Sequence, residues 1–496
     1  PAPLGDVAAK EGRIASHRFL GGHTYLARMR GDEEQARRAR AFLDGRVRVD
    51  IATLTVAGRR VFPAEAAALE AGERFAVAVT LRNEGVGHRF PGGTLDAQDT
   101  WLEARLLDAA GQVLLVAGAD HEGTGDDPSA HRLRALLVDL QGRPVLNREV
   151  NHFAASVYNH TLPPRDAGAV ELEGEVPDGA RGPLRLEVEL RHRSRPRPVV
   201  DATCEGARGP RGRAFVRATE RFTGVRLAPC APPPVTVLAR TAVTFPLRSA
   251  AAPPAPGGHD PRLFARSYTH GLAMSHARQE RLEEARVSFD DAFRYASSPS
   301  EEAMALAGLA AVAARQNAPR EVEERVAAAR SRIGDHPALR RLLGDAYTAV
   351  WRFDAALDPL RTSAADCPLD DGAAMRLAVA LGSAGRSAEA LAASAAGLRL
   401  VPRETDLLRV QALAARDLAL PEALAAEQIA LEARAADRAP GLRLRCSFGV
   451  PGCALERDPV HAHLMVPPRG RPVVGRGADA KRNANVSARG GRGAPP

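Results

Sequence analysis

The 496-residue sequence predicts an α+β multidomain protein, in which an antiparallel β-sandwich is followed by an all-α superhelix. Two observations support this fold class. Between residues 46 and 247, apolar residues alternate with polar ones in several short runs, which is the period of half-buried strands. After residue 258 the sequence repeats itself every 34 residues, which is typical of stacked helical hairpins.

Residues 1–45 are predicted to form a loop followed by a helix. Gly21 and Gly22 mark a change of chain direction, and apolar residues then recur at helical spacing from Tyr25 to Leu43. The chain begins at Pro1 without a methionine, and we expect it to be N-terminally incomplete.

Residues 46–247 contain the predicted sandwich. Its short strands are separated by turns rich in Pro, Gly and Asp, and no helical period lies between them. This pattern favours an antiparallel sandwich of the immunoglobulin-like kind. Residues 204–234 break the pattern and are predicted to be an irregular insertion. The clearest strand runs begin at Val47, Phe75, Trp101, Leu184 and Val235.

Residues 259–440 are predicted to form helical repeats of the tetratricopeptide (TPR) type, after a Pro- and Ala-rich linker at 248–258. A small residue early in each hairpin lets its two helices approach closely. An unrelated Ala-rich helical bundle is the alternative. Stacked hairpins of this type expose a groove, in which we expect a protein partner to dock. The clearest repeat equates Leu343, Gly344, Tyr347 and Ala356 with Leu377, Ala378, Leu381 and Ala390.

The net charge of +8 comes mainly from residues 469–496, which hold seven basic residues and one acidic residue. A Gly-, Arg- and Pro-rich segment of this composition is predicted to be disordered, so we expect no nucleic-acid partner. No apolar run is long enough to cross a bilayer, so we expect no membrane span.

The five cysteines are spaced too widely for a zinc site, and no C-x-x-C occurs. Cys446 and Cys453 flank a turn in the predicted C-terminal extension (441–468) and could close a small disulfide loop. Cys204 and Cys230 bracket the insertion in the same way, which leaves Cys367 as a small core residue. Two such disulfides would favour an oxidising compartment, and free buried thiols are the alternative.

Three histidine-bearing loops are candidate cofactor sites. His17 and His23 lie on either side of Gly21-Gly22, where glycine allows a close approach of the backbone to a cofactor. His88 lies in a second Gly-rich loop, and His152 and His160 surround a third loop that ends in two prolines. From their spacing alone, such histidines are more often loop residues than ligands.

These strings also carry a resemblance. Ser-His-Arg-Phe-Leu-Gly-Gly-His at 16–23, Gly-His-Arg-Phe-Pro-Gly-Gly-Thr at 87–94 and Thr-Leu-Pro-Pro at 161–164 resemble the portion that follows the haem-binding region in large multihaem c-type cytochromes. Some members of that family end in tetratricopeptide repeats. The segment from Cys446 to His463 is similar to such chains as well.

The resemblance implies electron transfer in an extracytoplasmic, periplasmic setting. His17 would be the axial ligand of a haem, with His23 as the second candidate and His88 as a further one. The chain departs from the family because it contains no C-x-x-C-H, so it attaches no haem c by its own thioethers. A missing N-terminal region would supply the haem c, and residues 1–45 would be the remnant of that upstream haem domain.

No nucleophile elbow, phosphate-binding loop or zinc-protease motif occurs, so we expect no catalytic site in this chain. Two hypotheses follow. In the first, the chain is the C-terminal scaffold of a multihaem cytochrome, and its TPR repeats dock a protein partner. The alternative is a haem-free TPR adaptor that mediates protein–protein interaction.

Overall fold

The structure is a computed structural model that describes most of the chain between residues 20 and 464. The predictions for His17, the linker 248–258, Cys367, Cys446, Cys453 and the tail 469–496 lie outside the described residues. The described ranges are 20–92, 97–121, 125–126, 130–145, 149–247, 259–276, 281–366, 368, 371–401, 404–423, 425–427, 429–430 and 460–464.

Two helices come first, strands interrupted by a helical pair follow, and an all-helical region comes before the last strand. The helices are α1 (Thr24–Met29), α2 (Glu33–Leu43), α3 (Arg197–Arg208), α4 (Pro210–Thr223), α5 (Pro261–His276), α6 (Leu282–Tyr295), α7 (Pro299–Arg315), α8 (Pro319–Ile333), α9 (Pro337–Ala349), α10 (Phe353–Asp366), α11 (Asp371–Ser383), α12 (Ser387–Leu400) and α13 (Thr405–Asp417). The strands are β1 (Val47–Val56), β2 (Arg59–Val61), β3 (Arg74–Asn83), β4 (Asp99–Leu107), β5 (Val113–Ala117), β6 (Asp120–His121), β7 (Gly125–Asp126), β8 (Ala135–Val138), β9 (Ala155–Asn159), β10 (Ala167–Glu175), β11 (Leu184–Arg193), β12 (Thr236–Phe245) and β13 (Val460–Leu464).

Two sheets enclose the main hydrophobic core. The first sheet has the strand order β13–β10–β3–β1–β2 and the second has the order β12–β11–β4–β5. Val77 and Val79 of β3 share one core with Val188 and Leu190 of β11, and all four side chains are buried. The alternating apolar positions therefore form the two inner faces, as the period of two predicts.

One strand pairing differs from the antiparallel expectation. β13 lies parallel to β10, with Ala169 opposite Val460 and Glu173 opposite Leu464. It covers an edge of β10 whose backbone groups would otherwise have no strand partner. The two antiparallel sheets are thus present with this one exception, and the immunoglobulin-like topology stays a prediction.

The expectation of an irregular insertion at 204–234 is wrong for its first two thirds. Helices α3 and α4 occupy residues 197–223, and only the return to β12 is irregular. The helices escaped detection because Val200 is the one buried side chain that they contribute. A helix that is exposed on nearly all sides carries no apolar stripe by which to recognise it.

The prediction of TPR-type hairpins is confirmed by the helices between Pro261 and Asp417. Helices α9, α11 and α13 begin 34 residues apart, as do α10 and α12. Their packing depends on small residues. A Cβ placed on Gly344 would lie 2.4 Å from Leu360 Cγ, so glycine is what allows α9 and α10 to approach this closely.

The sandwich packs against the first hairpin of the array. The outer face of β10 carries Ala167 and Ala169, which share a buried cluster with Met274 of α5 and Phe289 of α6. Alanines on this face let the helices lie close to the sheet. A terminal repeat of a helical array otherwise leaves one apolar flank in water, so the sheet acts as its N-terminal cap.

Polar contacts fix the orientation of this cap. Arg266 Nη1 of α5 lies 2.7 Å from Glu65 Oε2, and Arg281 Nη1 lies 2.9 Å from Glu171 Oε1 of β10. Arg60 of β2 lies 3.2 Å from Asp291 of α6. The sandwich and the array are therefore one packed unit across this interface.

Candidate functional site

The first helices of successive hairpins lie side by side. α5 contacts α7, α7 contacts α9, α9 contacts α11 and α11 contacts α13, whereas each second helix packs against the first helix of the next hairpin. The sandwich covers α5. We call the surface formed by α9, α11 and α13 the A face.

Two rows of equivalent residues run across the A face. Because the repeat is 34 residues, Arg341 corresponds to Met375 and Arg409, and four residues later in each helix Asp345 corresponds to Val379 and Leu413. Residues four apart lie on the same side of a helix, so the rows are neighbours. The face therefore changes from charged at α9 to apolar at α11 and α13.

Asp345 and Arg376 place these rows on the side where α9 meets α11. Arg376 Nε lies 2.8 Å from Asp345 Oδ1. Burial raises the pKa of the Asp345 carboxyl, while the Arg376 and Arg341 guanidiniums act in the opposite direction. This ion pair ties the two helices together and forms the polar end of the A face.

The apolar end of the A face is partly open to solvent. Met375 and Val379 are half-buried against the core of the later repeats, and Leu413 is 42% exposed. An exposed leucine beside half-buried apolar side chains can contact an apolar group of a partner. The period of the sequence predicted the array, but the two rows emerge only when the helix boundaries are known.

The three predicted histidine loops converge at one end of the sandwich, which we call the histidine end. Phe90 and Leu162 exchange backbone hydrogen bonds of 2.8 Å, which joins the second loop to the third. Gln98 donates to the carbonyl oxygen of Gly92 at 2.7 Å and also lies beside Gly22, which joins the second loop to the first.

His192, at the end of β11, lies at the centre of this region. It is fully buried, and its Nδ1 lies 2.8 Å from the Thr100 hydroxyl. Gly22 packs against its Nε2, and the Phe90 ring lies 6.4 Å away. Burial lowers the pKa of His192 to about 4, so its ring is neutral and structural at pH 7.

His23 is the accessible member of the predicted set among the described residues. It precedes α1 and its side chain is exposed. Burial and the Arg195 guanidinium lower the pKa of His23, which favours the neutral imidazole that binds metals. The helix that follows is anchored to β11, because the Tyr25 amide donates to the Ser194 hydroxyl at 3.0 Å.

His88 is held within its own loop. Its Nδ1 lies 2.8 Å from the carbonyl oxygen of Arg89, and its ring packs directly over Gly92. Of the third loop, His152 is exposed, and His160 stacks on His131 with ring centroids 5.8 Å apart. The three loops thus come together, but their imidazoles do not point to one centre.

A buried charge cluster at the same end was not predicted. Arg193 and Arg132 both bind the carboxylate of Asp99, and both guanidiniums lie over the Trp101 ring, at 4.6 and 5.8 Å. Burial acts to raise the pKa of Asp99, but the two guanidiniums hold it below its ordinary value. Charged residues within the strand runs were the available signal.

Cys204 and Cys230 are joined by a disulfide in the structure. The bond ties α3 to the segment that returns to the sandwich, and that segment contacts α1 through the Tyr25 hydroxyl and the carbonyl of Pro229, 2.6 Å apart. The predicted Cys446–Cys453 loop lies outside the described residues.

Within the described ranges, no group of three or more His, Cys, Asp or Glu residues could hold a metal ion. In the same part of the chain, no helix combines the length and the hydropathy needed to cross a membrane.

No protein-family model matches the sequence, and the search of curated proteins finds no match. Solved structures with some similarity include MamA of MSR-1, which is 25% identical with a TM-score of 0.29 over 35% of this chain and 98% of that chain. Another is YrrB, described as a TPR protein with an unusual peptide-binding site, which is 20% identical with a TM-score of 0.29 over 38% of this chain and 92% of that chain. TM-scores of this size are too low to establish a shared function.

Proposed function

We propose that the chain is a scaffold that binds a protein partner through the A face. The supporting observation is the pair of equivalent rows on α9, α11 and α13, which ends in the exposed side chain of Leu413. Stacked helical hairpins present continuous surfaces of this kind to extended or helical peptides. The partner segment carries apolar side chains that contact Met375, Val379 and Leu413.

The sandwich has a structural part in this function. It caps the first hairpin, so a fragment that begins at residue 259 would expose Ala273, Met274 and Phe289 to water. Binding is therefore tested with the full chain.

A displayed peptide library selected on the full chain tests the proposal, and the affinity of selected peptides is measured by fluorescence anisotropy. We expect Leu413→Arg to weaken binding, because it places a charge in the apolar row. Ala392→Arg on α12 is the matched control, because Ala392 is exposed on a second helix. Failure to select any peptide, or equal binding by Leu413→Arg, would contradict the proposal.

We also propose, as a second function, that the histidine end lies against a haem carried by another part of the protein. The observation in its favour is the exposed, neutral imidazole of His23 beside the N-terminal segment that carries His17. In this arrangement the chain would supply an axial ligand to a c-type haem, and the scaffold would belong to an electron-transfer protein.

A haem peptide that carries one histidine ligand is a suitable probe. We expect the full chain to convert its spectrum to the low-spin form, and His17→Ala or His23→Ala to remove the conversion. His152→Ala is the control, because His152 is exposed in another loop. A conversion that is absent, or that survives in the double variant His17→Ala/His23→Ala, would refute this function.

A further inference from the structure

The helices α3 and α4 form an arm that projects from the histidine end. Between them they bury only Val200. The arm is held by the Cys204–Cys230 disulfide and by a close crossing, where a Cβ on Gly212 would lie 2.2 Å from the carbonyl oxygen of Gly206. A disulfide and a tight corner thus replace the hydrophobic core that the arm lacks.

Two large apolar side chains on α4 are left in water. Phe215 is 65% exposed and Phe222 is 83% exposed. They lie seven residues apart, which is two turns, so they stand on the same flank of the helix. Exposed phenylalanines aligned in this way mark an interaction site rather than incidental surface.

Arginines accompany the two phenylalanines. Arg213, Arg217 and Arg221 are spaced by four residues and form one stripe along α4. Over the described chain, Arg217 and Arg221 make no ion pair. Exposed arginines of the helical array, in contrast, are paired with acids: Arg286 with Glu283, Arg340 with Asp366 and Arg361 with Glu389.

We propose that α4 binds the surface of an anionic phospholipid membrane. The two phenyl rings insert among the acyl chains near the headgroups, and the arginine stripe pairs with lipid phosphates. An amphipathic helix with low mean hydropathy, arginines on one side and phenylalanines on the other has the composition of helices that lie in the membrane interface. Guanidinium groups match phosphate oxygens in geometry and in charge.

The shape of the arm favours a membrane over a protein surface. Protein interfaces bury aromatic side chains at the centre of a broad, closely packed patch. Here each phenylalanine stands out from a narrow projecting helix, with no buried neighbour on α4. A soft surface that admits single side chains fits this arrangement better than a preformed pocket.

Sedimentation of the full chain with phosphatidylcholine vesicles, with and without phosphatidylglycerol, tests the proposal. We expect binding only to the anionic vesicles, and equal concentrations of inorganic phosphate should not displace the chain. Arg217→Gln/Arg221→Gln should weaken partitioning about 25-fold, since each arginine near an anionic surface contributes about fivefold. Phe215→Ser/Phe222→Ser should weaken it at least about tenfold.

Controls separate the arm from the rest of the chain. Arg399→Gln removes an exposed arginine of α12, and Leu140→Ser removes a leucine that is 89% exposed, so neither change should alter partitioning. Thermal unfolding checks that the arm variants remain folded, because none of the replaced side chains is buried. Removal of the basic tail 469–496 should leave the dependence on the phenylalanines intact.

Three results would each overturn the proposal. The first is a wild-type chain that does not bind anionic vesicles. The second is a Phe215→Ser/Phe222→Ser variant that binds as wild type does. The third is binding that disappears with the tail 469–496 and does not depend on α4. Peptide binding at the A face is measured separately, so failure here would not bear on the scaffold function.

Discussion

Two histidines are buried in neutral form, and both make the stability depend on pH. His270 of α5 is fully buried with its Nδ1 2.8 Å from the Ser288 hydroxyl, and burial together with Arg60 and Arg281 lowers its pKa to about 3. Burial also lowers the pKa of His192 to about 4. In the unfolded chain both would titrate near 6.5.

The free energy of unfolding should therefore fall as pH falls below 6.5. In that range the unfolded state binds protons that the folded state refuses, and each histidine adds a slope of up to about 1.4 kcal/mol per pH unit. The loss continues until the pH reaches the folded pKa values of about 4 and 3. Urea unfolding at a series of pH values measures the slope.

A variant isolates the contribution of His270. His270→Gln should reduce the slope between pH 6.5 and 4 by about 1.4 kcal/mol per unit, whatever it does to stability at pH 7. An exposed histidine, His152, provides the control His152→Gln, which should leave the slope unchanged. A wild-type slope in His270→Gln would show that this residue is not the buried proton acceptor.

The charge cluster at the histidine end gives a second prediction. Asp99→Asn leaves Arg193 and Arg132 buried without their carboxylate, and breaking a buried ion pair in this way costs about 3–5 kcal/mol. Glu34→Gln removes an exposed carboxylate that binds Arg37 and Arg38, and it should have little effect. Urea unfolding at pH 7 compares the two, and equal losses would contradict this account.

The sequence identified the loops of the histidine end but not their assembly. Gly22, Phe90 and Leu162 come together through strand pairings between distant segments, and no local pattern encodes such contacts. His192 and Asp99 were missed for the same reason, since their burial depends on both sheets being in place.

Among the elements, the helical repeats were predictable because their period is written within single hairpins. Gly344 and Ala378 stand at equivalent positions, and each faces a helix that follows about a dozen residues later. The arm was not predictable, because α4 buries no side chain and so shows no apolar period.

Two glycines in first helices test the packing of the repeats. A Cβ on Gly344 would meet the buried Leu360 side chain at 2.4 Å, so Gly344→Ala should destabilise the chain by about 1–3 kcal/mol through overpacking. A Cβ on Gly382 would come no closer than 3.8 Å to its nearest neighbour. Gly382→Ala should therefore be neutral or stabilise α11 by up to about 1 kcal/mol.

Thermal unfolding followed by circular dichroism at the helix band measures both changes. Opposite signs are expected although the substitution is the same. If Gly344→Ala were as stable as Gly382→Ala, the approach of α9 to α10 would be looser than the structure has it.

For the whole molecule, the sequence suggested two domains joined by a linker, whereas the structure packs them together. The alanines on the outer face of β10 gave no signal, because a strand with alanines outside and valines inside resembles an ordinary half-buried strand. Their meaning depends on α5 and α6, which begin about a hundred residues later.

This interface should make the sandwich and the array unfold together. Ala169 is 0% exposed between the sheet and the first hairpin, so Ala169→Glu buries a carboxylate with no cation placed to receive it, or forces the two layers apart. We expect one calorimetric transition in the wild-type chain and two in Ala169→Glu, with the array unfolding first because its apolar end has lost its cap. Glu173→Gln on the exposed part of the same strand should keep the single transition. A single transition at the wild-type temperature in Ala169→Glu would mean that the repeats are stable without the sandwich, and the cap would then have no energetic role.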